Sequence, residues 1–142
     1  IDVKEKKTVK IILPENAEVY ECGQGYIGNT SQIQVKLDGA SLRLFAIFPE
    51  KQKTPSIQLP DTIAAGEKLR FDFSDLPSGR TILIRVFSPS GKEIFGRNVV
   101  FDTAKTKVYE YPLEFNADKG TYRFVSEDVT TGLKKESKVV VK

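Results

Sequence analysis

Gly23, Gly25 and Gly28 fall close together in VYECGQGYIGNTSQIQVKL (residues 19–37), a density at which backbone amides could cradle a phosphate. That chemistry needs a strand, a glycine turn and then a helix whose N-terminus faces the anion. Here Asn29-Thr30-Ser31 and the alternating Ile33, Val35 and Leu37 follow instead, and no lysine sits in the loop. The segment therefore reads as a β-hairpin whose glycines take positive φ angles or bulge positions.

Acid–base catalysis would fall to carboxylates, because the chain has no histidine. Asp72 and Asp75 flank a turn and Glu127-Asp128 closes a strand, so both pairs read as loop-edge acids. Neither a G-x-S-x-G elbow nor an H-E-x-x-H helix occurs. Cys22 is the single cysteine, which excludes an internal disulfide and a multi-cysteine metal site; without a histidine to activate it, it reads as a packed side chain. Asp102, Asp118 and Asp128 are isolated and fall short of the oxygen cage that calcium requires. No catalytic residue, metal or cofactor is expected. Sugar stacking needs exposed aromatics, and there is no tryptophan. Tyr109 and Tyr111 share a parity with Leu113 and Phe115 and are expected to point inward. Tyr26, expected at the hairpin tip, remains as the platform for a possible carbohydrate.

Such residues must be positioned by strands. The 142 residues are 39% hydrophobic and 29% charged, with nine phenylalanines available to a core. Lysine and arginine number 22 against 19 acids, for a formal net charge of +3. KEKK (Lys4–Lys7) and LKKESK (Leu133–Lys138) are the local basic clusters. They are expected to flank strands as solvated ends without interleaved aromatics, which argues against nucleic acid. No apolar run approaches the ~18 residues of a spanning helix, so no membrane insertion is expected. The chain has no methionine, so Ile1 is not expected to be a translation start. It reads as a processed or excised piece, and IDVKEKKTVK does not read as a signal peptide.

Short alternating segments separated by turn residues predict an all-β protein with almost no helix. Val9, Ile11 and Leu13 share a face of a first strand stopped by Pro14, and a second strand covers Glu18–Glu21. Ile33, Val35 and Leu37 mark a third, and Asp38-Gly39 reads as a hairpin turn. Leu42–Phe48 carries apolar residues on both parities, including Phe45 and Ile47, and is expected to lie under a further layer. PEKQKTP (Pro49–Pro55) reads as a linker between a small N-terminal β-segment (1–50) and an antiparallel β-sandwich of immunoglobulin-like form (55–142). Seven strands are predicted in the latter, at Ser56–Leu59, Glu67–Phe73, Thr81–Phe87, Glu93–Phe101, Lys107–Phe115, Gly120–Asp128 and Glu136–Val141. DKGTY predicts a tyrosine corner in which Asp118 and Gly120 set the turn and the Tyr122 phenol bonds back to the backbone; Phe124 stands where antibody domains have a cysteine.

Leu13–Pro49 resembles a C-terminal β-domain of bacterial β-galactosidase-like glycoside hydrolases. The resemblance rests on the Gly25-Tyr26-Ile27-Gly28 hairpin and the Leu44-Phe45-Ala46 strand, with the SPSG (Ser88–Gly91) and KGTY (Lys119–Tyr122) turns continuing it. Glu21 stands where that family usually has aspartate. The resemblance implies a non-catalytic accessory region of a larger secreted, periplasmic or envelope-associated enzyme whose catalytic acids lie on a separate barrel. Its partner would be another domain of the same polypeptide or another protein surface, met through Phe45 and Ile47. The alternative is a stand-alone adhesion or carbohydrate-binding module, with Tyr26 as its platform.

Overall fold

The computed structural model describes residues 7–39 and 42–142; Lys4–Lys6 of the KEKK cluster lie outside the described residues. The chain is all-β, with ten strands and a single 3-10 turn at Phe95–Arg97 among the described residues. It divides into two compact units, Ile1–Gln52 with Thr130–Gly132, and Lys53–Val129 with Leu133–Lys142.

The first unit is a three-stranded sheet of β1 (Lys7–Glu21), β2 (Gly25–Leu37) and β3 (Phe45–Phe48), with β1 in the centre. Pro14 does not stop the first strand. β1 runs through it because the register shifts between Ile12 and Ala17, so only Ser31 faces the residues around the proline and no ladder donor is required of it. The hairpin turn lies at Cys22–Gln24, with positive φ at Gly23 (78°) and Gly25 (108°). Asp38-Gly39 does not join paired neighbours, since β3 returns to pair with β1 rather than with β2. Val19, Ile33 and Val35 form a small buried cluster on which Leu13, Leu37 and Phe45 pack.

The second unit places a five-stranded sheet against a two-stranded one, consistent with a β-sandwich. The larger sheet has the order β4 (Thr62–Ile63), β10 (Lys134–Val141), β9 (Gly120–Asp128), β6 (Thr81–Phe87), β7 (Val99–Asp102); only β4 and β10 run parallel. The smaller pairs β5 (Lys68–Asp72) with β8 (Val108–Pro112). Alternation decides what lies between them. Ile82, Ile84 and Val86 on β6, Tyr122 and Phe124 on β9, and Val139 and Val141 on β10 point inward, where they meet Leu69 and Phe71 of β5 and Tyr111 of β8. Phe124 contacts Phe71 and Tyr111 edge-on at 5.5 and 5.4 Å between centroids.

Two strands occupy the predicted bounds, Thr81–Phe87 and Gly120–Asp128, and others are trimmed. Ser56–Leu59 is not a strand: Ile57 is buried, but it is held through its carbonyl, which accepts from the Ser137 hydroxyl at 2.8 Å. Glu93–Phe101 is broken by the Phe95–Arg97 turn. β8 ends at Pro112, so Phe115 does not continue the inward face and is 91% exposed. LKKESK lies largely within β10 rather than beside a strand. Asp128 is buried with Arg80, Nη1 to Oδ2 at 4.0 Å, instead of standing at a loop edge.

Phe124→Ala should cost about 3–5 kcal/mol of stability, because truncation opens a ring-sized cavity where both sheets meet. Urea unfolding of the purified chain measures this; a loss below about 1 kcal/mol would contradict the inter-sheet ring packing.

Candidate functional site

Tyr26 is the second residue of β2 and stands opposite Tyr20, rather than at the hairpin tip. It is 40% exposed, but its surroundings occupy it. The phenol donates to Glu18 Oε2 at 2.6 Å, Asn29 Nδ2 donates to Glu18 Oε1 at 2.8 Å, the Tyr20 ring lies 5.1 Å away, and Lys51 Nζ stands 5.0 Å from the ring centroid. The hydrogen bond to Glu18 raises the Tyr26 pKa to about 12, and the same bond lowers that of Glu18. A sugar stacking here would have to displace a cation–π contact. The arrangement is a locked polar latch on the strand pair. Tyr20, fully buried, accepts from the Gln52 backbone amide at 2.7 Å.

Phe45 and Ile47 share one face of β3, opposite Glu21 and Val19 of β1. The expected strand Leu42–Phe48 is shortened to Phe45–Phe48, and the second covering layer is not supplied by the described residues: Leu42, Leu44 and Ile47 are 82%, 56% and 48% exposed. Phe45 is half-buried on the Val19, Ile33, Val35 cluster. Beside it, Arg43 grips the buried Glu21 carboxylate through both Nε and Nη2, and its guanidinium lies 6.0 Å from the Phe45 ring centre. Bidentate pairing satisfies the Glu21 carboxylate. A cleft of about 500 Å³ opens beside this pair, bounded by Cys22, Gln24, Leu42 and Leu44. The Cys22 thiol donates to the Thr130 carbonyl at 3.1 Å.

In the second unit Gly120 has φ 131°, and a Cβ there would stand 2.9 Å from Pro89. Two residues on, Tyr122 is buried, and its phenol is hydrogen-bonded by the Asp118 backbone. Asp118, Gly120 and Tyr122 therefore pin the β8–β9 connection. Asp72 caps the turn that follows β5: its Oδ1 accepts from the Ser74 amide and hydroxyl, at 3.0 and 2.6 Å. Those bonds lower its pKa to about 2.

These residues do not converge into one site. Tyr26, Phe45 and Ile47 belong to the first unit, and Asp118, Gly120 and Tyr122 to the second. Among the described residues no three of Asp, Glu and Cys come together as metal ligands. No helix of the described residues is long and apolar enough to cross a membrane. Sequence reasoning missed the basic outer face of β6, β9 and β10, because the cluster LKKESK joins Arg85, Phe87 and Arg123 only through strand pairing.

Comparison with protein-family models and with curated protein sequences finds no match for the chain.

Two pH windows follow from the shifts. The Tyr26 pKa lies above its ordinary value of 10.0, so its contribution to stability is full below about pH 10 and lost as pH rises through about 12. The Asp72 pKa lies below 3.8, so its contribution is full above that pH and lost as pH falls through about 2. Ultraviolet titration should find one tyrosine ionising near 12, and Glu18→Gln should lower that value. An unchanged titration in the variant would contradict the latch.

Proposed function

We propose that this chain is a non-catalytic accessory region that packs against another protein surface, foremost another domain of its own polypeptide. The observation that carries this reading is the uncovered apolar face of β3, where Ile47 stands exposed on the same side as the half-buried Phe45, while Leu42 and Leu44 are exposed on the segment that leads into the strand. Large apolar side chains left open at a strand face are a place for a partner to cover. Phe45 is anchored from below, and Arg43 is held by Glu21, so the surface is preorganised for docking.

The resemblance of Leu13–Pro49 to the C-terminal β-domain of β-galactosidase-like glycoside hydrolases gives the partner its form: a catalytic barrel upstream in a secreted, periplasmic or envelope-associated bacterial protein. The second unit is then an immunoglobulin-like module of the same accessory region, a reading supported by its two facing sheets and by the Tyr122 bond to the Asp118 backbone. Carbohydrate binding at Tyr26 is the weaker reading, since Lys51 and Glu18 already engage that ring.

Determining the coding sequence upstream of Ile1 tests this. A barrel bearing paired carboxylates supports the accessory role, whereas a signal peptide ending just before Ile1 overturns it. In the full-length protein, Ile47→Asp should loosen or dissociate the contact, because a partner would have to bury an unpaired charge. In the isolated chain the same change should shift stability by no more than about 1 kcal/mol, as the side chain is already half exposed. Limited proteolysis of both proteins reads the difference; equal resistance of wild type and variant in the full-length protein would refute the buried contact.

A further inference from the structure

The outer face of the larger sheet carries a charge pattern that neither the core nor the packing role uses. Cross-strand pairing sets three rows across β6, β9 and β10: Leu83, Glu127 and Lys134; Arg85, Val125 and Glu136; Phe87, Arg123 and Lys138. Arg85, Arg123, Lys134 and Lys138 share these rows with Glu127 and Glu136, Glu93 continues the third row opposite Phe87, and Lys135 lines the rim.

Glu127 and Glu136 are both engaged: Glu127 accepts from Arg85 Nη2 at 2.8 Å, and Glu136 pairs with Arg123 at 2.8 Å and Lys138 at 3.3 Å. Lys134 and Lys135 have no ion pair among the described residues. The Arg123 guanidinium lies 4.0 Å from the centre of the Phe87 ring, which holds it flat against the sheet. A cleft of about 340 Å³ opens over Phe87, Val125 and the basic residues. Arg85 borders it with its guanidinium, whose Nη2 is held by Glu127 and whose Nε is buried without a hydrogen-bond partner.

We propose that this face binds an acidic glycan, its carboxylate or sulfate groups taken by Arg85, Arg123 and Lys134 and its hydroxyls by Glu127 and Glu136. Guanidinium forks match such anionic groups, and diagonal neighbours on the sheet are about 7–8 Å apart, which spreads the contacts over successive polar groups of one chain. A nucleic acid fits less well. It presents a phosphate charge about every 1.7 Å of duplex, which Glu127 and Glu136 would oppose, and the Phe87 face that could stack a base is covered by Arg123. An acidic peptide would gain most from strand addition, yet β9 is paired on both sides and the face offers side chains alone. The site is independent of the packing surface on the first unit.

Native gels of the purified 142-residue chain, cast with polygalacturonate, dextran sulfate or neutral dextran, test the assignment. Retardation by either acidic polymer, weakening with added NaCl and absent in neutral dextran, is expected. The two acidic arms separate carboxylate from sulfate recognition. Lys134→Glu/Lys135→Glu, two exposed positions, should weaken binding by about tenfold or more. Lys10→Glu/Lys36→Glu, the same charge change on the first unit, should leave it unaltered. Arg85→Lys, which keeps the charge and removes the guanidinium fork, should weaken it by a smaller factor. No retardation in either acidic gel, equal losses in the two double variants, or displacement by duplex DNA at matched charge would overturn the proposal.

Discussion

Phe124 sits at the centre of β9, between β6 and β10, and its ring meets Phe71 and Tyr111 of the facing pair β5–β8. A two-stranded sheet is marginal alone in water, so β5–β8 depends on this contact to persist. Phe71 also stacks near Tyr109, and Phe101 continues the ring cluster toward β7. Once Phe124 points inward, every second residue of β9 must point outward, because the side-chain period of a strand is two. The ring contact in the core thereby dictates the composition of the opposite face. Arg123, Val125 and Glu127 are outside for the same reason that Tyr122, Phe124 and Ser126 are inside.

Burial and charge are kept consistent across the same sheet. Inside, Ser126 donates to the Pro55 carbonyl at 2.8 Å, and Thr103 donates to the Pro77 carbonyl while accepting from the Arg80 amide. These bonds tie irregular segments to strands and give the buried Ser126 and Thr103 hydroxyls their partners. Outside, the ion pairs of Arg85 and Arg123 are part-exposed, and such pairs contribute little to stability. Their significance is geometric: each carboxylate holds a guanidinium in place beside Phe87 and Val125. These charges are therefore displayed on a rigid surface rather than on mobile loop ends.

Much of the fold was legible. Thr81–Phe87 and Gly120–Asp128 alternate cleanly between apolar and polar residues and are bounded by turn residues, and both strands form where that pattern runs. Gly23, Gly25 and Gly28 take positive φ as the hairpin required. Failures arose where local signals competed. Pro14 is a strong strand breaker in isolation, but a bulge against Ser31 absorbs it. Phe115 continues the parity of Tyr111 and Leu113 on paper, yet the strand ends at Pro112, and the Phe115 ring instead lies over Gly66, where a Cβ would come within 2.5 Å.

By itself the sequence determined that the chain is all-β, which strand faces are apolar and where the main turns lie, because alternation and turn chemistry act between residues close in the chain. It also determined that histidine-dependent chemistry is absent, since composition alone decides that. Only the tertiary structure decided that β3 pairs with β1, that Lys51 and Glu18 engage Tyr26, that Asp128 is buried with Arg80, and that Lys134 lies in one row with Glu127 and Leu83. Those relations join residues far apart in the chain. They follow from register and packing, whose free energy is shared among many contacts and written in no single segment.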